Sequence, residues 1–134
     1  MATDPGTPAL TPIRFVLEQH FEEMLRWFAA RGEQMTPDAL PQSGFIIPGK
    51  AAGFLYRTDS SMAMIENLVA SPELPREERS AAVDAIVLAV ADEARRLGFK
   101  TLIGSTVLDV VVSRAERLGF LYVGGGFHTI VLVL

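Results

Sequence analysis

The chain is 134 residues long, 49% apolar and 21% charged, with 12 Lys and Arg against 16 Asp and Glu for a net charge of −4. That is enough chain to bury roughly two thirds of its unfolded surface in one core, and the acidic balance argues against a nucleic-acid partner, which needs a basic face to displace counterions. There is no cysteine, which excludes disulfides, thiolate zinc sites and Cys nucleophiles, and the longest apolar run, Ala85–Ala91, is seven residues, far short of the ~20 that cross a bilayer.

Met1–Pro12 holds three prolines and three threonines and predicts a loosely ordered tail ahead of a single domain over 13–134. It has neither a basic n-region nor an apolar h-region, so the expected location is the cytoplasm. Ile13–Val16 predicts a short strand. Glu18–Arg31 predicts a helix whose apolar face is Phe21, Met24, Leu25 and Phe28, with Gly32 as its left-handed cap. Trp27 falls about 60° from the centre of that face. It is therefore expected to be partly exposed and, with Phe28, open to a partner chain. His20 is expected to be a satisfied structural histidine, as is His128 near the other end of the chain.

Gly32–Ser43 is a polar loop. Gly44–Ile47, Ala52–Arg57 and Met62–Ala70 read as strands joined by the turn signals Pro48-Gly49-Lys50 and Thr58-Asp59-Ser60, an antiparallel meander. Glu73–Leu97 is the strongest helix, with Pro75 near its start and Val83, Ile86, Val87, Val90, Ala94 and Leu97 on one face. A strand follows at Thr101–Ser105. Thr106-Val107-Leu108-Asp109 has the form of a capping box for a third helix bearing Val111, Val112, Ala115 and Leu118. Leu121–Val123 and Phe127–Leu134, joined by Gly124-Gly125-Gly126, predict a closing hairpin.

Arg96-Leu97-Gly98-Phe99 and Arg117-Leu118-Gly119-Phe120 repeat one arrangement 21 residues apart, a helix end with Gly at C′ and an apolar residue after it. The element string is β-α-β-β-β-α-β-α-β-β. A long helical crossover between strands forces a parallel pair inside an otherwise antiparallel sheet. The expected fold class is therefore mixed α/β, with a mostly antiparallel central sheet that contains one parallel pair. The terminal run Ile130–Leu134 is apolar without alternation, which calls for a central strand covered on both sides. The alternative is strand exchange in a homodimer, because an exposed apolar edge aggregates.

This order, with Met64-Ile65-Glu66-Asn67-Leu68-Val69-Ala70-Ser71-Pro72 as fourth strand and Glu116-Arg117-Leu118-Gly119-Phe120 before the last hairpin, resembles the GNAT superfamily of acyl-CoA-dependent N-acyltransferases. The likeness covers about residues 44 to 134. It implies that the parallel pair is splayed and that helices cover both faces of the sheet, with acetyl-CoA, or another acyl-CoA, as donor and a primary amine as acceptor. It implies further that the backbone of Leu68, Val69 and Ala70 pairs with the pantetheine arm. The pyrophosphate would rest on amides at the start of the long helix.

The family's pyrophosphate loop, Q/R-x-x-G-x-G/A, falls on Arg76-Glu77-Glu78-Arg79-Ser80-Ala81. Arg76 and Ala81 fit, Arg79 replaces the first Gly, and two acids stand between the arginines. The family's thiolate-protonating Tyr falls on Ala115, and the Asn that opens that helix falls on Leu108. By this resemblance Arg76, Arg79, Ser80, Ala81 and Ser105 are the expected cofactor contacts. Arg76 and Arg79 read equally as helix-surface cations paired with Glu73 or Glu77.

Glu66 stands inside an apolar strand, on the face of Met64 and Leu68 by simple alternation, with Asn67 on the other face. It is the expected general base, the plainer reading being a carboxylate at a solvated cleft edge. The only phenols are Tyr56 and Tyr122; either could replace the absent acid, Tyr122 being the one expected to, against the plainer role of a core or rim residue for each. Two histidines so far apart give no metal site. Two functional readings therefore stand side by side. One is an N-acetyltransferase; the other is a catalytically silent module of the same shape, similar to phage-encoded proteins with eroded cofactor loops, that acts by protein contact or senses a CoA-type metabolite.

Overall fold

A computed structural model describes residues 10–126, 128 and 130–134. Most of the expected N-terminal tail therefore lies outside the described residues, as do Phe127 and Thr129 of the expected hairpin. The elements in chain order are β1 (Ile13–Arg14), α1 (Leu17–Ala30), a 3-10 turn (Pro37–Ala39), β2 (Ser43–Ile47), β3 (Ala51–Tyr56) and β4 (Met62–Ala70). They are followed by α2 (Arg76–Arg96), β5 (Thr101–Ile103) and α3 (Asp109–Arg117).

The strands form one sheet in the order β1-β2-β3-β4-β5. β1 through β4 pair antiparallel, and β4 pairs β5 parallel because α2 carries the chain back to its starting end. The sheet is covered on both sides. Ile47, Ala51, Leu55 and Ala63 meet Ala82, Ile86, Val90 and Ala94 of α2, while Ile46, Ala52, Phe54 and Val69 meet Met24, Trp27 and Phe28 of α1. The mixed α/β architecture is as its sequence pattern predicts.

Helix ends follow the Gly signals. Phe99 N donates to Ala94 O and Gly98 N to Arg95 O; Phe120 N donates to Ala115 O and Gly119 N to Glu116 O. These are Schellman closures, with Gly98 at φ 89° and Gly119 at φ 100°. Starts are less regular. α2 begins three residues later than expected, with Pro75 as its N-cap. α3 is capped by Leu108, not Thr106; Thr106 Oγ1 instead accepts from Leu108 N in the turn before it.

Two expectations about burial fail. Trp27 is 5% exposed, because α1 buries His20, Met24, Trp27 and Phe28, a stripe rotated toward Trp27. A ring that large dominates the helix's apolar area and turns that side inward. The closing hairpin is also absent among the described residues. Leu121–Val123 and Ile130–Leu134 carry no strand, and every residue of Ile130–Leu134 is at least 81% exposed. Apolarity specifies that this run needs cover, but it supplies no partner; β5 is only three residues long and offers little edge to recruit it.

Candidate functional site

The site is built by one extra residue in β4. Ala52 pairs with Val69 but Phe54 pairs with Glu66, so Gly53 opposes two residues. Asn67, at φ 57°, takes up the extra step in a conformation that Asn tolerates better than most side chains. Gly53 makes the bulge possible: a Cβ there would lie 2.7 Å from Ile86 Cγ2 and 3.0 Å from Leu68 Cδ1.

The bulge corrects simple alternation. Leu68 packs on the α2 side, opposite to the face of Glu66, whose cross-strand partner Phe54 packs on the α1 side. Asn67 Nδ2 donates to Tyr56 Oη, so Asn67 serves the α1 side too.

The parallel pair is short. β5 accompanies β4 only over Met62–Met64, whereas β4 continues to Ala70. Ser71 N donates to Lys50 O at 2.8 Å, and Val69 pairs with Ala52. Strand alternation then turns the carbonyl of Leu68 and the amide and carbonyl of Ala70 away from β3, toward the edge that β5 leaves open. One of these groups is covered by a residue with no sequence signal: Arg31 Nη1 donates to Leu68 O at 3.1 Å.

α2 starts beside this edge without a side-chain cap, so its first amides are available to an anion. Glu78, which threatened to oppose one, is held by Lys50 Nζ at 2.5 Å. Among the described residues, Arg76 and Arg79 form no ion pair. A cavity of about 550 Å³ opens here, lined by Arg76, Glu77, Ser80, Ala81, Asp84 and Arg117. α3 forms its other wall: Arg117 Nη2 reaches both Asp84 oxygens at 3.0 and 2.9 Å, and Arg114 Nη1 donates to Asp84 Oδ1 at 2.6 Å, Ser80 O at 2.9 Å and Ser80 Oγ at 3.1 Å.

Glu66 is half-buried, and burial pushes its carboxyl above the ordinary carboxylate value. Tyr56 lies within its field. Burial raises the Tyr56 phenol, the Asn67 hydrogen bond lowers it, and the Glu66 charge raises it further, for a net rise. Tyr56 Oη donates in turn to Ala39 O at 3.0 Å, tying the bulge to the loop after α1.

The expected site residues thus fall into two groups and a remainder. Glu66, Leu68, Val69 and Ala70 share the bulged end of β4, and Arg76, Arg79, Ser80 and Ala81 share the first turns of α2. Ser105 is exposed in the connection between β5 and α3. Tyr122 is 61% exposed in the stretch after α3. His20 is buried and accepts from Val16 N through Nδ1 at 2.9 Å, the satisfied role expected of it; His128 is exposed and belongs to no strand. Sequence reasoning missed Arg31, Asp84, Arg114 and Arg117. The only local hint was Arg117, within the repeated Arg-Leu-Gly-Phe.

No protein-family model and no curated protein sequence matches the chain. Solved structures do resemble it. A provisionally named acetyltransferase from Agrobacterium tumefaciens str. C58 superposes at TM-score 0.68 with 14% identity, covering 90% of this chain and 99% of its own. The aminoglycoside acetyltransferase meta-AAC0020 from an uncultured soil metagenomic sample, in complex with trehalose, gives 0.66 with 11% identity over 92% and 95%. A transcriptional regulator from Bacillus halodurans C-125 gives 0.66 with 14% identity over 90% and 99%. At such identities the likeness establishes architecture, and the architecture is plain: this chain has the fold of the GNAT acetyltransferases.

Proposed function

We propose that the protein is an N-acetyltransferase that moves an acetyl or other acyl group from acyl-CoA to a primary amine, in the cytoplasm. The observation that carries this reading is the open edge of β4 beside an uncapped helix start. Leu68 and Ala70 present backbone groups there that no neighbouring strand pairs, with the α2 amides and Arg76 a few residues on. An amide-bearing arm suits the first and a pyrophosphate the second. CoA supplies the activated thioester; the chain supplies position and proton handling.

Glu66, held above its ordinary pKa by burial, takes the proton from the attacking amine directly or through one water. As nitrogen bonds to the acyl carbon and the carbon–sulfur bond breaks, the thiolate takes a proton from Tyr122 in this proposal. Arg76 and Arg79 neutralise the pyrophosphate over the free amides of the first turn of α2, while Ser80 and Ala81 line the cavity wall beside it. Ser105 is assigned to the carrier wall from its place between β5 and α3. Among the described residues, Ile130–Leu134 is exposed and joins no strand, and the second edge of β5 is free, which supports a homodimer formed by strand exchange.

A silent module is the second reading, favoured by a different observation. Ser80 Oγ is occupied by Arg114 and Leu68 O by Arg31, so two groups a carrier would use are already engaged. One resembling structure is named for regulation.

Thermal melting with and without acetyl-CoA separates the readings. A ligand at a hundred times its Kd adds about 2.7 kcal/mol to stability. The enzyme reading predicts a raised midpoint that Arg76→Ala abolishes and Glu66→Gln preserves. An unchanged midpoint at millimolar acetyl-CoA supports the silent module.

A further inference from the structure

Arg31 is the last residue of the α1 turn, and its backbone is fixed by the Schellman closure that follows. Gly32 N donates to Ala29 O at 2.9 Å and Glu33 N to Phe28 O at 3.0 Å, with Gly32 at φ 76°. The side chain is held at three points. Its guanidinium lies 5.1 Å from the Phe28 ring centroid. Nη2 donates to Glu33 Oε2 at 2.8 Å, and Nη1 donates to Leu68 O at 3.1 Å. The third contact crosses 37 residues of sequence and ends on a backbone carbonyl of the open β4 edge.

A carbonyl turned into a cleft asks for a donor. When the cleft is empty Arg31 provides it. An incoming amide that pairs with the same carbonyl must displace the guanidinium, which has a harbour two residues away on Glu33.

We infer that Arg31 is a specificity-determining gate residue of the β4 edge: it guards the Leu68 carbonyl, and only a ligand arm bearing an amide donor, with enough binding energy elsewhere to displace a guanidinium, gains that edge. The inference rests on the proposed acyl-CoA reading and assigns a role that reading does not contain. The gate sets affinity for the amide-bearing arm and leaves the phosphate-bearing end untouched.

Two ligands separate those ends. Acetyl-CoA carries both; 3′,5′-ADP carries the nucleotide phosphates without the arm, so it also reports any general loss of attraction when a cation is removed. Titration calorimetry on the full chain compares wild type, Arg31→Ala and Glu33→Gln. Arg31→Ala removes the competitor and is expected to tighten acetyl-CoA three- to tenfold relative to 3′,5′-ADP, in line with the net worth of one solvent-exposed hydrogen bond that must otherwise be broken.

Glu33→Gln removes the harbour and leaves the guanidinium committed to Leu68 O. It is expected to weaken acetyl-CoA severalfold against the same control. Should Arg31→Ala fail to fold, Glu33→Gln alone decides the matter. Equal acetyl-CoA to 3′,5′-ADP affinity ratios across the variants, or changes of opposite sign, overturn the gate while leaving acyl-CoA binding in place. Absence of binding by either ligand to wild type and variants overturns the acyl-CoA reading, and the gate falls with it.

Discussion

Glu66 and Glu93 are carboxylates taken partly or wholly out of water, and their surroundings push them in opposite directions. Burial raises Glu66 with no cation to offset it. Glu93 is 3% exposed, and burial would raise it too, but hydrogen bonds and charges from Arg14 and Arg96 outweigh that and lower it. Arg96 Nε donates at 2.6 Å, and Arg14 pairs with Oε2, clamping β1 to α2. The stability contributions therefore run oppositely with pH. Glu93 stabilises the fold fully above the unfolded carboxylate pKa of about 4.3 and loses that contribution as pH falls through its lower folded value. Glu66 contributes below its ordinary pKa and loses the contribution as pH rises through its higher folded value. Glu93→Gln is expected to cost about 1–3 kcal/mol near neutrality and to flatten the acid limb of stability, read by urea melts across pH. On the proposed acetyltransferase reading, Glu66→Gln is expected to lower kcat by about 10²–10⁴-fold and to remove an acid limb of the pH–rate profile displaced upward from the ordinary carboxylate value. Glu66 was legible because an acid inside an apolar strand breaks its pattern. Arg31, Asp84 and Arg114 were not, because partners 30 to 37 residues away leave no periodic trace.

At the level of elements, local rules worked where one interaction dominates. Both Arg-Leu-Gly-Phe junctions became Schellman ends, and Met62–Ala70 is a strand over its full predicted length. The rules failed where tertiary packing arbitrates. Trp27 rotated α1 toward itself, and a one-residue bulge sent Leu68 and Asn67 to faces that period-two counting denies them. The bulge depends on Gly53, whose missing Cβ admits Ile86 and Leu68. Gly53→Ala is expected to destabilise by about 1–3 kcal/mol through overpacking, measured by denaturant titration. Gly125→Ala, in the stretch after α3, would bring a Cβ within 2.7 Å of Tyr122 Oη, the end of an exposed side chain and not of the packed sheet core, and is expected to stay within about 0.5 kcal/mol of wild type. Equal losses at both positions would contradict the bulge account.

Across the whole molecule, the antiparallel meander and the parallel crossover were readable because a long helix between strands permits few topologies. What covers the terminal apolar run was not, since composition states a need for cover without naming who meets it. If strand exchange meets it, sedimentation velocity shows a dimer that becomes a monomer on deletion of residues 130–134; an unchanged species excludes that route.

The account stands on an amide-bearing anionic carrier lying across the open edge of β4 and the start of α2. Residue-resolved hydrogen exchange of the full chain with saturating acetyl-CoA tests this most directly. The amide of Ala70 and those of the first turn of α2 are predicted to slow together, with β1 and β2 unchanged. Exchange at both places identical to that of the free protein would contradict it.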